Sequence, residues 1–171
     1  MDMNKSIVIA LAALFLAACG KEPGKEFMGS YSYRMSGSID MVAEPLAEGE
    51  TSMAPDAFVI TLANQMGSLD IVTLDADNET LFVSLRPLNG SIMSFEGKVE
   101  DGLLVLSSRD VRLKGSGGGV ESRWYDVTLG GSAKRLSNLL HINFEASGEM
   151  EYLGRRYRVS DSDIECVGTV N

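Results

Sequence analysis

Hydrophobic and polar residues alternate along most of the chain. In the segment 139–146 every second side chain is apolar, namely Leu140, Ile142, Phe144 and Ala146. Successive side chains of a strand point to opposite faces of a sheet, so this spacing predicts a strand that is buried on one face. The same pattern places Met93, Phe95, Gly97 and Val99 on one face of 92–99, and Val111 and Leu113 on one face of 110–114.

Turn-forming residues separate the alternating segments. Further strands are predicted at 27–41, 58–63, 69–75, 79–86, 103–107, 124–130, 156–159 and 164–169. Residues rich in Asp, Asn, Gly and Pro lie between them, at 75–78, 87–90, 100–102 and 116–119. About eight to ten short strands with such spacing predict an all-β protein, either an antiparallel up-and-down barrel or a β-sandwich.

One segment has a different period. Ala133, Leu136, Leu139 and Leu140 fall at the spacing of a helix face. We therefore also predict one short helix, a single turn, directly before the strand 139–146.

The N-terminus has the pattern of an export signal. Ten apolar residues run from Ile7 to Leu16 behind Lys5. This run is shorter than the roughly 18 to 20 residues that a membrane-spanning helix needs, and it fits the apolar core of a secretory signal peptide.

The end of this run resembles the lipobox of bacterial lipoproteins. It reads LAAC, with Leu16, Ala17 and Ala18 as the residues that the signal peptidase would recognise. The resemblance implies a signal peptide at 1–18 and lipidation of Cys19, whose acyl chains would anchor the protein in a membrane. Gly20 stands where an Asp would resemble the inner-membrane retention signal, so we expect the outer membrane, with the side of that membrane left open.

The chain after the anchor divides into two parts. Residues 19–26 read CGKEPGKE, a lipidated Cys and a polar tether that is rich in Gly and Pro. Residues 27–171 are long enough for one domain with a substantial core.

Charge and cysteine content exclude several classes of partner. The net charge is −9 and the basic residues are scattered, which argues against nucleic acid as a partner because phosphate binding needs a basic patch. There are two cysteines, and lipidation of Cys19 would leave Cys166 without an intramolecular disulfide partner. Cys166 alternates with Ile164, Gly168 and Val170, which predicts an inward position on the last strand.

The sequence offers little chemistry for catalysis. His141 is the single histidine, its position in the alternation is outward, and no G-x-S-x-G motif accompanies it. We therefore expect no enzyme, no catalytic residue and no cofactor. The acidic segments 75–79 and 160–165 would suit either tight turns or calcium, but neither has the spacing of an EF-hand, and we assign no metal site.

Three segments resemble one group of proteins. They are FMGSYSYRMSGSIDM at 27–41, FEGKVEDGLLVLSS at 95–108, and VTLGGS with NLLHINFEASGEM between 127 and 150. They resemble the calycin-like, lipocalin-type barrel lipoproteins of Gram-negative gut anaerobes, with Gly29 and Tyr31 at the place of the lipocalin G-x-W motif. The resemblance implies an eight-stranded barrel that can hold one small apolar ligand.

Two kinds of function remain open. In the first, the protein binds a small hydrophobic ligand in a cavity lined by aromatic rings, for which the candidates are Tyr31, Phe58, Phe82, Phe95 and Trp124. In the second, those rings fill a solid core, and the outer strand faces or the loops 43–56 and 114–123 contact another envelope protein.

Overall fold

Ten β-strands account for most of the residues that the computed structural model describes, which are 23–75 and 79–171. The strands are β1 Gly29–Ala43, β2 Ala57–Leu62, β3 Gln65–Thr73, β4 Thr80–Pro87, β5 Met93–Glu100, β6 Leu103–Gly117, β7 Val120–Leu136, β8 Leu139–Ser147, β9 Glu149–Tyr152 and β10 Arg155–Val170. All their pairings are antiparallel, so the predicted all-β class is confirmed.

The predicted helical turn is wrong, since the described residues contain no helix. Strand β7 continues to Leu136, which pairs with Leu139 at the start of β8. The two residues between them form a tight turn in which Ser137 has a φ of 59°. This backbone conformation reverses the chain and prevents a helix from forming there.

The sheet closes into a ring because β1 pairs with β10. On the other edge of β1, β3 pairs with Gly29–Met35 and β2 pairs with Ser38–Val42, so β2 and β3 lie end to end. Strands β8 and β9 lie end to end along β10 in the same way. The ten strands therefore occupy eight positions around one barrel, and the predicted barrel, not the sandwich, is observed.

The barrel has two levels with different strands. In the lower ring, eight strands pair in the closed order β1, β3, β4, β5, β6, β7, β8 and β10. In the upper half, β2 pairs directly with the end of β6, and the β4–β5 hairpin takes no part. The upper half thus contains β2, β9 and the continuing parts of β1, β6, β7 and β10.

Large apolar side chains fill the lower ring. The inward residues of β8, Leu140, Ile142 and Phe144, are at most 2% exposed, as the alternation predicted. The Phe144 ring meets the Phe95 ring of β5, with the two centroids 5.4 Å apart. Because β5 and β8 are not neighbours in the sheet, this contact crosses the interior of the ring.

Gly37 lies where β1 changes its partner from β3 to β2. Its φ is 149°, and a Cβ at this position would lie 2.0 Å from the carbonyl oxygen of Asp163 on β10. Glycine therefore allows β1 and β10 to stay paired through the boundary between the two levels.

A turn at residues 23–27 covers the lower end. Phe27 is fully buried, and its carbonyl oxygen accepts a hydrogen bond of 2.6 Å from the Tyr31 hydroxyl. Arg135 of β7 donates to the same hydroxyl and to the Glu26 carbonyl oxygen. The chain consequently enters the barrel domain from this end.

The loop 44–56 is fastened over the upper end. The Arg155 guanidinium donates to the Glu44 carbonyl oxygen at 3.1 Å and pairs with Asp56 at 2.7 Å. The Tyr157 hydroxyl donates to the Pro55 carbonyl oxygen at 2.6 Å. These contacts hold a long loop against β10.

Candidate functional site

A cleft opens in the barrel wall between β7 and β9. The pairing of β7 with β8 ends at Thr128 and Ser147, and Gly148 then turns the chain away with a φ of 136°. Beyond Gly148, β9 pairs with β10, and no ladder joins it to β7 among the described residues. Two strand edges therefore face each other across the gap.

The cleft has a volume of about 320 Å³. This lies at the lower end of the range for small-molecule sites. Its apolar lining comes from five strands and consists of Met41, Ile60, Tyr125, Val127, Met150 and Val159. Arg123 and the acidic residues Asp126, Glu149 and Glu151 complete it, together with Trp124 and Gly148.

Arg123 is held between two aromatic rings in this cleft. Its guanidinium carbon lies 4.6 Å from the centroid of the Tyr125 ring and 5.3 Å from that of Tyr152. The alternation of β7 explains the first contact, because residues two apart share a face of the strand. Stacking on aromatic faces stabilises the cation at a site where it is partly removed from water.

Two polar atoms of this group have no partner in the described part of the chain. The Arg123 Nε and the Tyr125 hydroxyl oxygen are buried without a hydrogen bond. Tyr125 is only 4% exposed, so its hydroxyl is removed from bulk water. Buried polar groups in native proteins are nearly always hydrogen-bonded, and their exceptions frequently mark functional positions.

Known proteins offer no match: no family model, no curated protein and no solved structure is similar to this chain.

The five rings that the sequence predicted to line a ligand cavity lie in different parts of the barrel. Tyr31 and Phe95 are fully buried in the lower part of the barrel. Phe82 alternates with the buried Leu81 and Val83, so it faces outward. The five rings do not share one cavity.

The other two rings predicted to line the cavity, Phe58 and Trp124, lie near the upper half. Phe58 packs on Tyr152 and Tyr157, with centroid distances of 5.4 and 4.9 Å. Trp124 is 40% exposed and lies on the outer face of β7, where a Cβ on Gly90 would be 3.2 Å from its ring. Trp124 reaches the cleft only as part of its outer wall.

Sequence reasoning missed Arg123 and Tyr125. The sequence does contain a signal for this site, because the alternation places the charged Arg123 on the same face of β7 as Tyr125 and Val127, both of which are buried. A cation at an inward position of a strand is unusual, since an unpaired charge is costly to bury. A charged residue at an inward position therefore indicates a functional site on this part of β7.

His141 faces outward on β8, as its position in the alternation predicted. Its Nδ1 lies 3.1 Å from Glu165 Oε1, and 31% of its side chain is exposed. Neither the ring nor its partner contacts a Ser or Cys nucleophile through a hydrogen bond in residues 23–75 and 79–171. The two side chains form a contact on the outer surface of the sheet.

The acidic segments have structural roles in the described residues. The Asp75 carboxylate accepts hydrogen bonds from the backbone N–H groups of Glu79 and Thr80, at 3.0 and 2.9 Å. Residues 76–78 of that segment lie outside the described residues. The segment 160–165 belongs to β10. Within 23–75 and 79–171, no three His, Cys, Asp or Glu side chains form a group that could hold a metal.

The lipidation candidates Leu16, Ala17, Ala18 and Cys19 also lie outside the described residues. Over the part of the chain that the structure describes, no helix has the length and hydropathy needed to cross a membrane.

Burial changes the titration of two inward groups near one another on β1 and β10. It raises the pKa of the Cys166 thiol to about 12, with a further increase from the charge of Glu165. Burial likewise raises the pKa of Tyr33 to about 12, and Cys166 adds to this effect. Both groups are therefore neutral at physiological pH and belong to the core, without a role in the cleft.

Proposed function

We propose that this protein is an outer-membrane lipoprotein whose barrel domain binds a small hydrophobic ligand in the cleft between β7 and β9. The observation that carries the proposal is the position of the cleft. It opens into apolar residues of the upper half, whereas large side chains fill the lower ring. A barrel without this gap would offer no such surface to a ligand.

The apolar part of the cleft lining supports an apolar ligand. Met41, Ile60 and Val159 lie at its inner side, and Met150 projects from β9. Methionine side chains adapt to irregular shapes because they are unbranched and flexible. Burial of apolar ligand surface against these residues would supply the binding free energy, at roughly 25 cal/mol per Å² before the costs of association.

The sequence supports the anchor. The LAAC segment ending at Cys19 resembles a lipobox, and Pro23, four residues later, lies in the turn at the lower end of the barrel. An acylated Cys19 would then place the membrane beneath the lower ring. The cleft lies in the upper half and would face away from the lipid.

The eight positions around the barrel also support our assignment to the calycin-like lipoproteins. A calycin barrel has eight strands, and end-to-end pairs here reduce ten strands to that number. In this proposal, the ligand binds in a gap in the barrel wall, whereas a calyx ligand binds at the centre of the barrel.

Two measurements test the proposed function. Native mass spectrometry with lipid extraction, applied to protein purified from its own host, should detect a bound small molecule. A thermal-shift screen of fatty acids, phospholipids, sterols and bile acids should raise the melting temperature with at least one compound, since a ligand at a hundredfold excess over Kd stabilises the native state by about 2.7 kcal/mol. Failure of both would contradict ligand binding.

A second candidate function is contact with another envelope protein. Leu88 and Ile92, in the loop between β4 and β5, are 75% and 61% exposed, and Trp124 lies beside the same loop. Exposed apolar residues that cluster in this way are typical of interaction surfaces. Crosslinking in intact cells, with Ile92→Lys as the disrupting variant, tests this function.

A further inference from the structure

We propose that Arg123 is the head-group receptor of the cleft and that the ligand is an amphiphile carrying a carboxylate. This inference rests on the proposed function, because it specifies the chemistry of the ligand in the same cleft. It adds a specific recognition element to a cleft whose lining is partly apolar and partly charged.

The first argument is that Arg123 lacks an anionic partner. No carboxylate lies within 4.0 Å of its guanidinium in the described part of the chain, and its side-chain nitrogens make no hydrogen bond there. Three acidic residues line the same cleft without pairing with Arg123. Asp126 pairs with Arg112 at 3.0 Å, while Glu149 and Glu151 occupy the exposed face of β9.

The second argument is the geometry of the guanidinium beside two aromatic rings. The guanidinium carbon of Arg123 lies 4.6 Å from the centroid of the Tyr125 ring and 5.3 Å from that of Tyr152. An aromatic ring attracts the cation through its π-face and takes up none of its ordinary hydrogen bonds, so the N–H groups keep their capacity to donate to an acceptor. A carboxylate suits a guanidinium, because its two oxygens can accept two parallel hydrogen bonds.

The third argument is the Tyr125 hydroxyl, the other buried polar group of this site without a partner. It belongs to a side chain that stacks on Arg123 and lines the same cleft. A hydroxyl can donate to a carboxylate oxygen, so head-group binding would satisfy a donor that the protein itself leaves unpaired. Apolar residues on the inner side of the cleft would receive the chain of the amphiphile.

Equilibrium dialysis against three probes tests this inference, using the full chain in phospholipid nanodiscs with empty nanodiscs as background. The probes are decanoate, 1-decanol and acetate. Decanoate should bind at least about tenfold more tightly than decanol, which is the typical effect of a charge-assisted hydrogen bond. Acetate should bind more weakly than decanoate because it lacks the apolar chain.

Variants identify the residue responsible. Arg123→Met keeps an unbranched apolar stem, removes the guanidinium and should lower decanoate affinity to that of decanol, with decanol affinity unchanged. Arg34→Met removes one positive charge from an exposed position of β1 and should leave all three affinities unchanged. Circular dichroism of each variant checks that the barrel is retained.

The outcomes separate this inference from the proposed function. Equal binding of decanoate and decanol, or an unchanged decanoate affinity in Arg123→Met, would overturn the head-group role while leaving a hydrophobic cleft. Binding of acetate as tight as that of decanoate would also overturn it, since the site would then hold a free anion. If neither decanoate nor decanol binds, the amphiphile is rejected; a compound found in the host-purified protein would still support the proposed function.

Discussion

The rings of Phe95 and Phe144 meet across the interior of the lower ring, with their centroids 5.4 Å apart. One ring comes from β5 and the other from β8, and both side chains are at most 2% exposed. Their contact joins two strands that are not neighbours in the sheet. It fills space inside the lower ring.

Replacing Phe144 by Ala should therefore lower the free energy of unfolding by about 3 to 5 kcal/mol, because the change removes a buried ring and leaves a cavity. Urea denaturation of protein produced from Gly20 onward measures this effect. Asn143→Ala is the matched control, since Asn143 is the exposed neighbour on β8, and it should change stability by no more than about 0.5 kcal/mol. A loss below about 1 kcal/mol in Phe144→Ala would contradict a close-packed ring.

Two tyrosines should respond differently to loss of the hydroxyl. Tyr157→Phe removes a hydrogen bond to the Pro55 carbonyl oxygen and should cost about 1 kcal/mol. Tyr125→Phe removes a hydroxyl that has no partner, so the free energy of unfolding should stay the same or rise. Both are measured by urea denaturation without added ligand. A large loss in Tyr125→Phe would show that its hydroxyl is bonded within the folded chain.

Alkaline pH should destabilise the protein through Cys166 and Tyr33. The pKa of Cys166 rises from 9.0 to about 12 on folding, and that of Tyr33 rises from 10.0 to about 12. Between these values the folded state holds protons that the unfolded chain has released, so stability is complete below about pH 9 and falls as pH increases towards 12. Denaturation midpoints at a series of pH values measure the slope.

Cys166→Ala provides the control for this pH dependence. It removes the group that begins to titrate first in the unfolded chain, so the decline should start nearer pH 10 and be less steep. An identical pH profile in this variant would exclude Cys166 as a source of the effect.

Cys19→Ser should abolish acylation, because serine lacks the thiol that would accept the lipid. We expect the variant to be unprocessed or to leave the detergent phase, as measured by intact mass and phase partitioning. Cys166→Ala should be acylated normally, which separates the two cysteines. Unchanged mature mass and partitioning of Cys19→Ser would reject the lipoprotein assignment.

The alternation predicted the strands well because burial on one face imposes a strict period of two. It fails at 133–140, where apolar residues from two strands imitate a helix. Ala133 and Leu140 are inward residues of β7 and β8, whereas Leu136 is 48% exposed at the end of the hairpin. The helical spacing therefore arises because apolar residues of two strands lie on either side of a tight turn.

The cleft was not predictable from local patterns. It depends on Gly148, where the chain leaves β7 and continues along β10 as β9. Both β7 and β9 remain ordinary strands by their own sequence, and only their failure to pair creates the gap. Arg123 is the part of the site that the sequence marks, since it is a cation among inward residues.

The two unpaired edges at the cleft bear on whether copies of the protein associate. Free strand edges can pair with those of neighbouring molecules and start aggregation, and charged side chains along an edge oppose this. Glu149 and Glu151 carry such charges on the exposed face of β9. The short length and negative charge of this strand would keep copies of the protein from joining edge to edge, while the gap itself stays accessible to a molecule too small to form a strand.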